Sequence, residues 1–408
     1  MSVRPPVEVA DIFRAHGADY RQRHKLPLHQ LRLMRAIENC RTRALGGHVE
    51  RCGQCDHTRI AYNSCRNRHC PKCQSAERAR WFQARQADLL PTPYFHVVFT
   101  LPPKIADLAL RNTRVFYNLL FRTSSQTLLT IAADPQHLGA EIGFFSVLHT
   151  WGQNLLYHPH VHCVVTGGGL SPDHERWVSG RRPDFFAPVK VLSRLFRRLF
   201  LDRVEEAFQA GELEFPGALE PLRDPGAFAR HLRPLRKSEW VVYCKPPFGG
   251  PEQALAYLSR YTHRVAISNQ RILSLSPDGQ VTFEWKDYRK QGKSCVMTID
   301  AEEFIRRFLL HSIDPGFQRI RHYGFLANCH RRDKLELCRK LLFSHPVSGL
   351  LPLAQAKQAA GLPPDPRAPS PAGPVGRICP ACGGGVMEIV EWLSPAQPPA
   401  SPPRLDTS

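Results

Sequence analysis

The stretch Tyr157-His-Pro-His-Val-His-Cys-Val-Val-Thr-Gly-Gly-Gly169 decides how the chain is to be read. The β-branched and apolar residues through Thr166 predict a strand, and the glycine run at 167–169 terminates it. Residues two apart in a strand share a face, so His160 and His162 project together while Val161 turns into the core. Two adjacent imidazoles can hold a divalent ion and leave positions open for a substrate oxygen. His158 lies two residues earlier and offers a third donor, although Pro159 can bend the strand between them. Taken alone, a His-x-His pair is more often core or surface histidine. The glycine run adds to it, because glycine lets another backbone approach closely.

Strands and helices are expected on both sides of this segment. Phe95–Leu101 is apolar and β-branched, and Pro102-Pro103 ends it as a strand. A helix is expected over roughly 104–132, and another over 189–209 with Leu192, Leu195, Phe196, Leu199 and Val204 on one stripe. Residues 239–244 read as a strand, 271–276 and 280–286 as a hairpin about Pro277-Asp278-Gly279, and 295–299 as a further strand. Asp300 is placed to cap a helix over 301–312, with Glu302 and Glu303 in its first turn. Helices are expected within 1–35 and over 76–90. This mixture predicts an α+β fold in which a central antiparallel sheet carries packed helices. The expected boundaries are 1–92 for an N-terminal helical and zinc-binding, DNA-binding domain, 93–345 for a catalytic domain, and 346–408 for a proline-rich tail.

A second element bears chemistry. Gly249-Gly250-Pro251 opens a helix on which Tyr257 and Tyr261 stand one turn apart on one face, flanked by Arg260 and Arg264. A tyrosine hydroxyl can attack a phosphodiester, and neighbouring arginines can stabilise the charge that develops on it. A tyrosine pair at this spacing is by itself more often core packing. The flanking arginines and His263 argue against simple burial.

The chain has 408 residues, 13 cysteines and a formal net charge of +19. Cysteine clustering without an export signal argues for metal rather than disulfides. Cys52-Gly-Gln-Cys55 and Cys70-Pro-Lys-Cys73 are two knuckles whose four thiolates are expected to surround one structural Zn²⁺, as in a zinc ribbon. Cys40, His57, Cys65 and His69, with His48 nearby, offer donors for a second zinc, and spacing alone does not choose among them. Cys379-Pro-Ala-Cys382 is half a site without an evident partner; Cys329, His330 and Cys338 are weak candidates. Arg66, Arg68, Lys72, Arg78, Arg80 and Arg85 would give the metal module a positive surface for phosphate contact. A charge of this size points to a polyanionic partner, inside a cell most commonly nucleic acid. No apolar run is long enough to span a membrane, and Met1-Ser-Val-Arg-Pro-Pro lacks the apolar core of an export signal, so a cytoplasmic location is expected.

A cysteine knuckle module, a His-hydrophobic-His strand and a Tyr-x-x-x-Tyr helix, in that order, resemble the two-tyrosine rolling-circle transposases of the HUH endonuclease superfamily. The resemblance is carried by Tyr62-Asn-Ser-Cys-Arg-Asn-Arg-His-Cys-Pro-Lys-Cys73, by the histidine stretch, and by Arg260-Tyr-Thr-His-Arg-Val-Ala-Ile-Ser-Asn269. Phe283-Glu-Trp-Lys-Asp-Tyr288 and Arg319-Ile-Arg-His-Tyr-Gly324 extend it over roughly 25–345. It implies an HUH nuclease-like fold in which His160 and His162, with a third ligand (His158, Gln153 or His263), hold Mg²⁺ or Mn²⁺. It further implies that Tyr261 attacks single-stranded DNA at mobile-element ends to give a 5′-phosphotyrosine and a free 3′-OH. Tyr257 would serve the second cleavage, and host replication machinery would extend the 3′-OH. The absence of a G-x-x-x-x-G-K-[ST] motif agrees with chemistry that needs no nucleoside triphosphate. Two other classes compete: a zinc-ribbon DNA-binding regulator without catalysis, and a hydrolase in which His158, His160 and His162 activate water. An HUH replication initiator would share the nicking chemistry.

Overall fold

The computed structural model describes residues 5–86, 88–180, 187–245, 265–287, 292–344 and 377–396. It divides into two compact units, one comprising Met1–Glu77, Val265–Ser312 and Asp365–Ser408, the other Arg78–Arg264 and Ile313–Pro364. The boundaries expected at 92 and 346 therefore shift. The segment from Val265 to Ser312, expected in the catalytic domain, and the C-terminal knuckle both join the cysteine module.

The histidine segment is the strand Tyr157–Leu170. It lies inside a six-stranded sheet in which Ile320–Gly324, Glu141–Trp151, Tyr157–Leu170, Tyr94–Thr100 and Val242–Lys245 follow one another, all antiparallel. Trp177–Ser179 pairs with the far end of the histidine strand. Val161, Cys163 and Val165 face a core shared with the helices Thr113–Ala133, Val189–Gln209 and Pro225–Lys237, where Phe116, Phe121, Phe196, Phe200 and Phe228 are buried. The opposite face carries His160, His162 and Val164; Val164 packs with Tyr94, Phe145 and Val147, and Trp81 of the helix Gln74–Gln86 meets Phe145 edge-on at 5.5 Å. Each buried core phenylalanine contributes roughly 1.5–3 kcal/mol. A one-residue slip would exchange Val161, Cys163 and Val165 for His160, His162 and Val164, so hydrophobic burial pins the histidine register.

The glycine run does not end the strand, which continues through it to Leu170 because Gly168, Gly169 and Leu170 keep pairing with neighbouring strands; it does admit a close backbone approach. A Cβ on Gly169 would lie 2.3 Å from the carbonyl oxygen of Glu141 on the neighbouring strand. Gly169→Ala should therefore destabilise this unit by about 1–3 kcal/mol, read as a lowered midpoint in thermal denaturation; an unchanged midpoint would refute the close approach.

In the other unit, the helices Val9–Arg23 and Leu28–Asn39 pack with the helix Ala301–Leu309. Phe13 meets Phe308 edge-on at 5.4 Å, and Glu302 takes Arg23 and His24. Ile272–Leu275, Gln280–Asp287 and Lys293–Asp300 form the expected hairpin and third strand. Asp300 occupies the N-cap position but makes no side-chain cap; its carboxylate accepts from Gln280 Nε2 instead. A second three-stranded sheet orders Met387–Leu393, Gly47–Cys52 and Thr58–Tyr62. Among the described residues no helix is long and apolar enough to cross a membrane.

Candidate metal centres and histidine site

The eight clustered cysteines form two groups of four, and neither is the expected ribbon. Cys40, Cys65, Cys70 and Cys73 converge, as do Cys52, Cys55, Cys379 and Cys382, with all sulfurs of a group within 4.8 Å of one another. The assignment of Cys52, Cys55, Cys70 and Cys73 to one zinc is thus corrected. The reason lies in the fourteen residues between the two knuckles. They contain the return strand Thr58–Tyr62 of a hairpin whose tip carries Cys52 and Cys55. Five residues of strand rise about 17 Å, which holds the tip away from Cys65, Cys70 and Cys73. Cys40 precedes the hairpin and meets the returning chain at its base. His57 and His69 contribute to neither group. Cys329, His330 and Cys338 are not the partners of the C-terminal knuckle; Cys52 and Cys55 are.

Both groups suit Zn²⁺. Sγ–Sγ distances are 3.6 Å for Cys40–Cys73 and Cys65–Cys73, 3.8 Å for Cys52–Cys382 and 3.6 Å for Cys55–Cys379. Zn–S bonds of 2.3 Å in a tetrahedron put sulfurs about 3.8 Å apart, whereas a disulfide requires about 2.05 Å. Backbone N–H groups of Gln54, Asn67, Ala381 and Gly385 donate to Cys52, Cys65, Cys379 and Cys382, as knuckle turns do when they stabilise thiolates. The C-terminal half is delivered by the strand Met387–Leu393, which pairs antiparallel with Gly47–Cys52 and places Met387 opposite Cys52. Gly385 is needed there, since a Cβ would lie 2.4 Å from the Cys52 sulfur.

On the central sheet, His160 and His162 do share a face, and a third histidine joins them. Ligand nitrogens of His149, His160 and His162 lie within 4.8 Å of one another. His149 sits on Glu141–Trp151, directly opposite His160 in the antiparallel register. Its ring centroid is 4.5 Å from that of His162 and 5.5 Å from that of His160. His149 is 2% exposed and His162 7%. His158 is not in the group. It contributes through its backbone: His160 Nδ1 lies 2.6 Å from the His158 carbonyl oxygen. A carbonyl only accepts, so Nδ1 carries the proton and Nε2 is the nitrogen suited to ligate an ion, the arrangement that orients metal-ligating histidines. His162 Nδ1 lies 2.8 Å from Nε2 of His96, whose ring stacks on it at 5.0 Å. Burial, assisted by the charge of Lys245, pushes His96 down to about 4 and so keeps its ring neutral. A neutral His96 can accept from His162 Nδ1 and hold that ring in the matching tautomer. The donor set of three imidazoles fits a divalent ion with open positions.

Sequence reasoning missed His149 and His96. The usable signal was hairpin register: with Gly152–Leu156 as the connection, any histidine on the preceding strand near 149 must face His160 or His162. Tyr257, Tyr261, Arg260, Arg264 and His263 lie outside the described residues, as does the side chain of Arg78. Among the expected phosphate contacts, Lys72 is largely buried and its Nζ lies 2.6 Å from Glu8, whereas Arg66 and Arg80 are exposed. Arg68 is half-buried.

Two Cys₄ groups and a three-histidine cluster, in a chain of charge +19, are the marks of a protein equipped to hold metal and suited to a polyanion. Comparison with known proteins narrows that class. Residues 143–334 match the family model described as "Putative transposase", and residues 12–101 match the one described as "Transposase zinc-binding domain". The chain belongs to this family of two-tyrosine transposases with a zinc-binding domain. It is 56% identical over 403 residues to "Putative transposase y4qJ" of Sinorhizobium fredii (strain NBRC 101917 / NGR234), covering 98% of both chains. It is 27% identical over 294 residues to "Transposase for insertion sequence element IS801" of Pseudomonas savastanoi pv. phaseolicola, covering 71% of this chain and 68% of that one. No solved structure matches it.

Proposed function

We propose that this chain is a rolling-circle transposase that nicks and rejoins single-stranded DNA at mobile-element ends through a 5′-phosphotyrosine. The observation that carries the reading is the convergence of His149, His160 and His162 in a member of this family. These three side chains would hold one Mg²⁺ or Mn²⁺. Once bound, such an ion polarises a non-bridging oxygen of the scissile phosphate. The Tyr261 hydroxyl attacks the phosphorus and loses its proton. The bond from phosphorus to the 3′ oxygen breaks, and that oxygen takes up a proton as the free 3′-OH. One phosphodiester is exchanged for another, so no nucleoside triphosphate is consumed. Tyr257 serves the second cleavage, Arg260 and Arg264 stabilise phosphate charge, and host replication extends the 3′-OH in the cytoplasm. The Cys₄ centres hold Zn²⁺ in a structural role, because four protein ligands leave no position for substrate.

Tyr261→Phe should abolish the covalent protein–DNA adduct on a denaturing gel of labelled single-stranded oligonucleotide with Mn²⁺, leaving zinc content and non-covalent binding unchanged. An adduct that survives this change sinks the assignment. Metal-dependent free product with no adduct from the parent protein would identify water as the nucleophile. A protein that binds DNA but never cuts it would be the zinc-ribbon regulator.

A further inference from the structure

We infer that one face of the three-stranded sheet in the cysteine module is a single-strand-binding platform, in which an exposed tryptophan stacks a base and arginines grip the flanking phosphates. The inference rests on the reading of the chain as a transposase acting on single-stranded DNA, and it assigns that substrate a binding surface.

Register places the parts together. His48 lies opposite Ala61 on one side and Trp392 on the other, and Glu50 lies opposite Arg59. All five side chains therefore share a face. The His48 and Trp392 rings are 5.4 Å apart, yet Trp392 remains 73% exposed. A groove of about 830 Å³ on this unit is lined by Arg41, His48, Arg59, Tyr62, Arg66 and Arg377, among others, and no carboxylate among the described residues lines it. Glu50, bonded to the groove residues His48 and Arg59, is 6% exposed. Burial opposes its ionisation, but hydrogen bonds from His48 and Arg59, with the charges of Arg59 and Arg377, hold its carboxyl below the usual range. That carboxylate fixes the Arg59 guanidinium in place rather than facing the groove.

The arginines come from both metal groups. Arg41 and Arg66 directly follow Cys40 and Cys65, and Arg377 stands two residues before Cys379. Arg41 and Arg66 also adopt left-handed backbone conformations, with φ of 56° and 52°. A glycine would hold those turns with less strain. Arg41 spends one guanidinium bond on the Lys72 carbonyl oxygen; long cations at strained, exposed positions otherwise suit a ligand with matching charge. An exposed indole beside them selects a nucleic acid with a free base face, since a duplex keeps its bases stacked. Because Trp392 and Arg377 belong to the C-terminal strand and knuckle, the platform is complete only when that segment is clasped onto the hairpin.

The test uses full-length protein and matched single-stranded and duplex oligonucleotides, with binding read by fluorescence anisotropy across a salt series. Arg66→Gly relieves its turn and should keep or raise thermal stability, and Arg41→Gly, which relieves its own turn but loses the bond to the Lys72 carbonyl, should stay folded; each should weaken single-strand binding roughly tenfold. Each should also reduce the slope of log affinity against log salt by about 0.7. Trp392→Ala should weaken single-strand binding by roughly 5- to 50-fold and leave duplex binding unchanged. Single-strand affinities equal to that of the parent in these variants overturn the proposal. So does a Trp392→Ala effect of equal size on duplex, which would make the face a duplex contact. Adduct formation by Tyr261, read separately at saturating DNA, persists in these variants. Its absence from the parent protein would instead refute the transposase chemistry.

Discussion

Replacing His149 is expected to cost at least about 100-fold in metal-dependent nicking and a comparable factor in Mn²⁺ affinity. Among the described residues three imidazoles cluster, and the His149 nitrogen lies within 4.8 Å of those on His160 and His162. A site with two imidazoles would bind the ion weakly and leave the scissile phosphate unpolarised. Since His149 is 2% exposed, alanine would also leave a cavity. His149→Gln keeps much of the volume and should preserve the fold while losing most of the affinity. The comparison with His158 makes the test sharp. Reading the strand alone nominates His158 as the third donor. In the structure, His158 serves through its carbonyl oxygen, which alanine retains. His158→Ala should therefore nick at close to the parent rate. Calorimetric Mn²⁺ titrations and single-turnover nicking decide it: a silent His149→Gln with a damaging His158→Ala would reverse the assignment.

The second large effect concerns zinc content. The parent protein should carry about two zinc ions per chain, one in each Cys₄ group. Cys379→Ser with Cys382→Ser should reduce this to about one, release the strand Met387–Leu393 from Gly47–Cys52, and make the C-terminal segment a target for limited proteolysis. A structural zinc contributes on the order of 10 kcal/mol to the segment it folds. The antiparallel pairing of Met387–Leu393, whose exposed face includes Ile389, Val390 and Trp392, would not survive that loss. A ribbon built from Cys52, Cys55, Cys70 and Cys73 makes the opposite forecast, because the double change would leave its zinc untouched. Zinc measured by mass spectrometry on purified protein distinguishes the two. Two zinc ions per chain in the double variant would restore the ribbon.

Local signals were sufficient for much of the fold. The helix over 189–209 follows from its apolar stripe and is found as Val189–Gln209. The strand at 95–101 and the hairpin at 271–286 emerge close to their expected limits. In each case one element's periodicity or one turn's chemistry suffices. The Cys₄ groups and the histidine site were legible as residue types but not as partnerships. Cys52 and Cys55 resemble the first half of a ribbon, and nothing in the intervening residues reveals that a hairpin strand carries the chain away before Cys65. Asp300 shows the same limit on a smaller scale, since a residue suited to cap a helix turns to Gln280 across the hairpin.

Local signals thus supply the inventory: an antiparallel sheet with packed helices, clustered thiolates, two imidazoles on one face of a strand, and family membership through motif order. Each of these depends on neighbours along the chain. Tertiary structure decided the pairings. Strand register set His149 against His160, hairpin length divided the cysteines, and the return of the C-terminal strand closed the second Cys₄ group across more than three hundred residues. Such contacts are set by how strands align in space to bury Val161, Cys163 and Val165, and sequence separation carries no record of that alignment.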